Sequence, residues 1–81
     1  MLENLLMVDV YLTDLDTGKK YYGTLDEEIH IGRTIEIDLI QTNPARCFRI
    51  GKIKGWVRST NHFIVYLVDG DGRKFLLRSA K

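Results

Sequence analysis

The residues of this chain best suited to chemistry are cations and an aromatic side chain spaced two apart. Every second position of one segment is occupied by Lys52, Lys54, Trp56 and Arg58. In a β-strand, residues with this spacing point to the same side of the sheet. Ammonium and guanidinium groups bind phosphates, and aromatic rings stack on nucleic-acid bases. The spacing therefore predicts a surface able to hold a single-stranded nucleic acid.

Two turn candidates extend this face over two further strands. A three-residue turn at 59–61 would pair Val57 with Phe63 and Arg58 with His62. A second turn at 70–72 would place Gly72 at the left-handed position of a three-residue loop. On this register the predicted binding residues are Lys52, Lys54, Trp56, Arg58, His62, Tyr66, Lys74 and Arg78, with Ile64, Val68 and Leu76 among them. The predicted core face of the same strands is Ile53, Val57, Phe63, Val65, Leu67, Phe75 and Leu77.

The centre of the predicted binding face is apolar, so something is expected to cover it. Trp56, Tyr66 and their aliphatic neighbours would together expose several hundred Å² of apolar surface, which is typical of a binding site. Three occupants stay open at this point: a nucleic acid, a protein or second copy of the chain, and the chain itself. In the last case the N-terminal segment, or the acidic strand with Glu36 and Asp38, would lie across the face. Because cations surround the aromatic centre, nucleic acid is the first expected partner and a protein interface or homodimer is the alternative.

Charge is sorted between the two halves of the chain, although the total is only +1. Residues 1–44 carry three basic and nine acidic side chains, for a net charge of −6. Residues 45–81 carry nine basic and two acidic side chains, for a net charge of +7. Such asymmetry indicates a charged partner or pairing between the halves.

Two acidic motifs suggest chemistry but fit turns better. Asp16-Thr17-Gly18 matches the tripeptide that carries the catalytic aspartate of aspartic proteases, yet it lies among turn formers beside two lysines. Asp69-Gly70-Asp71-Gly72 suggests a calcium loop, but the twelfth position from Asp69 is Ala80 rather than the required glutamate. Both segments are predicted to be hairpin turns.

The soft ligands of the chain are few and scattered. His30, His62 and Cys47 fall short of the four closely paired ligands of a structural zinc site. Cys47 with His62 would supply a thiol and a base, although a lone cysteine beside Phe48 is more often packed. We therefore expect that the protein is not an enzyme and that it binds no metal, cofactor or small-molecule substrate.

Length and composition predict one small domain over residues 1–81. A single cysteine excludes an internal disulfide and favours a reducing compartment. The first seven residues carry an acid where a signal peptide is basic, and their apolar run is too short to span a membrane. The expected location is cytoplasmic.

Alternation of apolar and polar residues predicts strands along most of the chain. The first should cover residues 5–13, with residues 1–6 as an alternative helical turn. A turn at 14–18, a strand at 19–25, an alternating strand at 33–39 and a loop at 41–44 follow. The basic half adds strands at 46–58, 62–69 and 73–78. The predicted fold is all-β, a small SH3-like barrel of about five to six antiparallel strands.

Two segments resemble the motifs of Sm-like RNA-binding proteins. Residues 8–12 with residues 18–25 resemble the first motif, a strand, a turn with glycine and a strand ending in Gly-x-Leu. Residues 57–61 with 64–66 resemble the second motif. The resemblance implies RNA binding on a small barrel, but the aspartate and asparagine that bind RNA in that family have no counterpart after Leu25. We adopt only the general SH3-like barrel, a fold that hosts protein, RNA and DNA binding.

Overall fold

The computed structural model describes residues 8–40, 46–57 and 62–80, which contain six β-strands and no helix. The strands are β1 (Val8–Asp14), β2 (Lys20–Leu25), β3 (Thr34–Leu39), β4 (Arg46–Val57), β5 (His62–Val68) and β6 (Lys74–Ser79). Each strand is antiparallel to the next, and β6 also pairs with β1, which closes the barrel. The predicted small SH3-like antiparallel barrel is confirmed.

Alternation in the sequence explains which side chains fill the barrel. In β3 the aliphatic Ile35, Ile37 and Leu39 are buried, and the acidic Glu36 and Asp38 between them are exposed. The same period of two operates in β1, β5 and β6. The buried apolar residues form one cluster: Val10, Leu12, Leu25, Ile29, Ile35, Ile37, Leu39, Phe48, Ile50, Phe63, Val65, Leu67, Phe75 and Leu77.

Two hairpin turns, each organised by an aspartate, lie at one end of the barrel. The Asp14 carboxylate accepts hydrogen bonds from the amides of Asp16 (2.9 Å) and Thr17 (3.3 Å). The Asp69 carboxylate accepts from the amides of Asp71 and Arg73, both at 2.9 Å. Gly72 has a φ of 82°, the left-handed conformation predicted for it. Both acidic motifs are therefore hairpin turns, as predicted.

Arginines link these two turns to each other and to the core. Arg73, in the second turn, forms an ion pair with the buried carboxylate of Asp14, in the first. Arg46 lies 3.5 Å from the Asp69 carboxylate, and its guanidinium carbon is 5.4 Å from the centroid of the Phe48 ring. We call this region, residues 14–19 and 69–73 with Arg46, the clamped end.

The opposite end is formed by a long β4 that extends past its neighbour β3. Residues Arg46–Arg49 pair with β3, whereas Arg49–Val57 pair with β5. The β4–β5 register shifts twice, between Ile50 and Lys52 and between Ile53 and Gly55. Each shift inserts one extra residue into β4, a β-bulge. We call residues 52–57 with 62–64 the ribbon end.

The second bulge overturns the predicted register of this hairpin. Trp56, not Val57, lies opposite Phe63, and Val57, not Arg58, lies opposite His62. An extra residue reverses the face of every side chain that follows it. Val57 is accordingly 52% exposed rather than in the core. The other predicted core residues of these strands are buried, except Ile53, which is partly buried against the core cluster.

One proposed internal cover of the predicted binding face is also wrong. The acidic strand β3 is part of the barrel wall, because Thr24 pairs with Asp38 on one side and Cys47 pairs with Glu36 on the other. It therefore cannot lie across β4, β5 and β6. The other proposed cover, the N-terminal segment, lies outside the described residues. So do the loop predicted at 41–44, the turn at 59–61 and Arg58.

Candidate nucleic-acid interface

The outer surface of the barrel carries a row of aromatic and cationic side chains across four strands. Tyr22 of β2 lies opposite Tyr11 of β1, which lies opposite Arg78 of β6, which lies opposite Ile64 of β5. The two tyrosine rings have centroids 5.2 Å apart with their planes tilted by 48°. The Arg78 guanidinium carbon is 5.8 Å from the centroid of the Tyr11 ring. Pairing of adjacent strands thus builds a continuous aromatic and guanidinium surface.

A second row runs parallel to the first and is displaced from it by two residues along each strand. Lys20 lies opposite Thr13, which lies opposite Leu76, which lies opposite Tyr66, and Tyr66 lies opposite Lys52 on β4. Tyr11, Thr13, Lys20, Leu76 and Arg78 line a shallow depression between the rows. We call the two rows together the tyrosine face: Tyr11, Tyr22, Tyr66, Lys20, Lys52, Arg78, Thr13, Leu76 and Ile64.

Tyr22 keeps its hydroxyl proton on this face. Partial burial raises the pKa of the phenol, and the nearby Asp9 carboxylate raises it further through its negative charge and a hydrogen bond. Both effects favour the protonated form of the phenol.

Five of the predicted binding residues lie on the same outer surface. Lys52 lies directly opposite Tyr66, and Arg78 lies opposite Ile64. Lys74 lies opposite Val68, and His62 lies opposite Val57. Lys54 is the inserted residue of the second bulge and is exposed. Arg58 is outside the described residues. Lys52, Tyr66 and Arg78 are thus brought together, whereas Lys74 and His62 lie towards opposite ends of the barrel.

Trp56 does not lie on the outer face, contrary to the sequence prediction. It is opposite Phe63, a core residue, and the two rings stack with centroids 5.6 Å apart and planes 23° apart. The indole remains 44% exposed at the ribbon end. The bulge at Lys54 is the physical reason, because it turns Trp56 towards the side of the sheet that holds the core.

Sequence reasoning missed Tyr11, Thr13, Lys20 and Tyr22 as members of the face. The signal was present, because alternation with Val10 and Leu12 places Tyr11 outside the barrel. Their importance depends on closure of β1 against β6, which puts Tyr11 next to Arg78. The sequence analysis considered the N-terminal half as a cover for the face rather than as part of it.

The acidic and the basic half of the chain form two different sides of the barrel wall, because strand order around the barrel follows chain order. Glu36 and Asp38 are exposed on β3, and Asp9 is exposed on β1. Among the described residues, the pairing between halves is made by Arg73, which contacts Asp14 and lies 4.0 Å from Asp16. Lys52 and Arg78 form no ion pair within this part of the chain. Neither charge is neutralised by a carboxylate of the described residues.

The candidate thiol and base are far apart. Cys47 lies opposite Glu36 near the start of β4, whereas His62 lies opposite Val57 at the other end of the same strand. Cys47 is also exposed rather than packed, with its sulfur 3.9 Å from a Glu36 carboxylate oxygen. In residues 8–40, 46–57 and 62–80, no three His, Cys, Asp or Glu side chains are grouped to hold a metal ion.

Comparisons of the chain with protein-family models, curated proteins and solved structures found no match. No helix in the described part of the chain is long and apolar enough to cross a membrane.

Proposed function

We propose that the protein is a non-enzymatic binding module and that the tyrosine face binds single-stranded nucleic acid. The observation that carries this proposal is the interleaving of three tyrosines with three cations on one outer surface of five adjacent strands. Aromatic rings stack on bases of any sequence, and cations neutralise the phosphates between them. A curved sheet that presents both on one side can follow a flexible single strand.

Each row combines an aromatic ring with a cation. Tyr11 is 36% exposed and has the Arg78 guanidinium near its ring, so a base stacked there would have a cation close to its phosphate. Tyr66 has Lys52 directly opposite and offers the same combination on β5 and β4, with β6 between Tyr66 and Tyr11. The carboxylates of Asp38 on β3 and of Asp9, which lies on β1 beside Tyr22, would repel phosphates. They would direct the nucleic acid away from β3 and towards the cations on β6, β5 and β4.

Binding of a fluorescently labelled oligonucleotide, followed by anisotropy over a range of salt concentrations, tests the proposal. Tyr66→Ala should weaken binding by roughly 1–3 kcal/mol at every salt concentration, because a stacking contact is lost. Lys52→Ala and Arg78→Ala should each reduce the slope of log affinity against log salt by about 0.7, because each removes one phosphate contact.

Trp56→Ala provides the matched control, since it removes an exposed aromatic ring that lies off the tyrosine face. Its affinity and its salt dependence should equal those of the parent protein. Absence of binding at low salt, or a loss with Trp56→Ala as large as that with Tyr66→Ala, would contradict the proposal.

A second candidate function is association with a protein or another copy of the chain through the same face. Ile64 is 38% exposed and Leu76 lies between Thr13 and Tyr66, so the centre of the face is partly aliphatic. Aliphatic centres with a polar rim are typical of protein interfaces. A dimeric mass in solution that becomes monomeric with Leu76→Lys, and that changes little with salt, would favour this function over nucleic-acid binding.

A further inference from the structure

A second surface lies at the ribbon end, which shares Lys52 and Ile64 with the tyrosine face: the edge of β4 that β3 does not cover. The last backbone contacts along this edge are made by Ile50, whose amide donates to the Arg33 carbonyl (2.8 Å) and whose carbonyl accepts from the Gly32 amide (2.7 Å). Beyond that point, within the described residues, β4 is paired with β5 alone. One side of the ribbon is thus an open strand edge.

The direction of the backbone groups along this edge follows from a contact of β5. The Phe63 amide donates to the Ser79 hydroxyl of β6 at 3.2 Å, so the Phe63 backbone faces away from β4. Phe63 lies opposite Trp56, and in an antiparallel pair of this type both residues direct their N–H and C=O groups outwards. The Trp56 backbone therefore points to the open edge. The close stacking of the two rings at 5.6 Å agrees with the short separation of such a pair.

Ile53 presents its backbone in the same direction. It lies opposite Val65, which is two residues from Phe63 and so faces β6 as Phe63 does. Two residues of the ribbon, Ile53 and Trp56, consequently offer both an amide donor and a carbonyl acceptor to an incoming strand. Their side chains add an apolar contact, because Ile53 is partly buried and the Trp56 ring is partly exposed beside Phe63.

The charges of β4 indicate what kind of strand fits. Residues 46–57 carry four basic side chains and no acidic one, and Lys52 and Lys54 on the ribbon are both exposed. A second copy pairing antiparallel about Lys54 and Gly55 would bring two such ribbons together, with their lysines side by side. Lysines on an open edge disfavour that pairing in native sheets. An acidic strand at the same edge would instead place its carboxylates next to these lysines.

We propose that the open edge of β4, at Ile53 and Trp56, takes an extended acidic peptide segment of another protein as an additional strand. Backbone hydrogen bonds to these two residues supply the affinity. Carboxylates beside Lys52 and Lys54, and an apolar side chain against Trp56, supply the selectivity. This binding goes beyond the proposed nucleic-acid function, because it uses the β4 backbone and Lys54, which are outside the tyrosine face; Lys52 is common to both surfaces.

The probe is a capped seven-residue peptide of alternating glutamate and valine, titrated into the full chain. Trp56 is the only tryptophan, so its emission should change saturably as the peptide pairs beside it. Amide hydrogen exchange followed by NMR should slow by about tenfold or more at Ile53 and Trp56, because hydrogen bonding protects these amides. Protection at Tyr66 and Arg78 instead would overturn the proposal.

Three controls separate strand pairing from simple charge attraction. The same peptide with N-methyl groups on alternate amides keeps its charge but cannot pair as a strand, and should not protect Ile53 or Trp56. Lys54→Glu should weaken binding of the unmodified peptide about tenfold, the effect of a contact worth about 1.4 kcal/mol. Lys74→Glu, a charge reversal near the clamped end, should leave the affinity unchanged.

Equal binding of the N-methylated peptide, equal effects of the two lysine variants, or a dimer of the free protein with these amides already protected would each overturn the proposal. Lys54 and the β4 backbone are not part of the tyrosine face. Failure here is therefore distinguishable from failure of nucleic-acid binding.

Discussion

Each end of the barrel has an aromatic pair, but the two pairs are supported in different ways. At the clamped end, Phe75 packs edge-on against Phe48 with centroids 5.1 Å apart, and the Arg46 guanidinium carbon lies 5.7 Å from the Phe75 ring centroid. Both rings are almost fully buried. At the ribbon end, Trp56 stacks on Phe63 and remains partly exposed.

The difference extends to the backbone. The clamped end has two turns whose aspartates accept amide hydrogen bonds, and an arginine ion pair that joins the turns. The ribbon end has two bulges and an edge of β4 that, among the described residues, has no strand beside it. The two turns are thus tied together at one end of the barrel, whereas at the other end β4 is paired, among the described residues, on one side only.

The largest expected difference is between the two aromatic pairs. Phe75→Ala should lower the free energy of unfolding by about 3–5 kcal/mol, because it leaves a cavity beside Phe48 in the core. Trp56→Ala should lower it by about 1 kcal/mol, the range of an exposed stacking contact. Urea denaturation followed by circular dichroism measures both. Equal losses would mean that the ribbon end is as tightly packed as the clamped end.

Lowering the pH is expected to have a smaller effect on the free energy of unfolding, through Asp14 at the clamped end. Burial alone would raise the pKa of Asp14, but the amides of Asp16 and Thr17 and the charge of Arg73 outweigh it and lower the pKa below the ordinary value. A carboxyl with a lowered folded-state pKa contributes stability above its unfolded pKa, and this contribution is lost as the pH falls through the folded value.

Stability should therefore decrease below about pH 4, the unfolded pKa of an aspartate. Asp14→Asn should be less stable than the parent at pH 7 and should show a smaller decrease on acidification. Thermal melts between pH 7 and pH 2 measure this difference. The matched variant Asp16→Asn changes an exposed carboxylate 4.0 Å from the same arginine. A decrease as steep in Asp14→Asn as in the parent would show that another group is responsible.

The smallest effect concerns two glycines of one turn. Gly72→Ala should cost roughly 1–2 kcal/mol, because a φ of 82° is unfavourable for a residue with a Cβ. Gly70→Ala should be close to neutral, because its φ is not in that region and nothing lies within 4 Å of the position its Cβ would take. Chemical denaturation of the two variants measures the contrast. A similar loss in both would indicate crowding of the loop rather than backbone strain.

The strands and turns of this barrel were predictable because each depends on local patterns. Alternation marks β3, where isoleucines alternate with carboxylates, and β1, where Val10 and Leu12 alternate with Tyr11. The turn at Asp69 depends on an aspartate and Gly72 within the same four residues. Predictions of this type fail where one extra residue is accommodated within a strand, as at Lys54, because nothing in a regular alternation marks a bulge.

The candidate site was predictable only in part for the same reason. Lys52, Tyr66 and Arg78 share the outer face because each lies on the side of its strand that alternation predicts. Trp56 was misplaced because its position depends on the bulge before it. Tyr11 and Tyr22 were missed because they join the face through the pairing of β1 with β6, two segments more than sixty residues apart.

By itself, the sequence of this protein determined an all-β chain, the two turns at Asp14 and Asp69, most of its core and the separation of acidic and basic halves. These properties depend on side-chain type and near-neighbour spacing, which act within a few residues. Tertiary structure alone decided where the bulges fall, which aromatic residues share the outer face and which edge of β4 has no neighbouring strand in the part of the chain that the structure describes. Those features depend on barrel closure, and the pairing that satisfies backbone hydrogen bonds around a closed barrel is set by all six strands together.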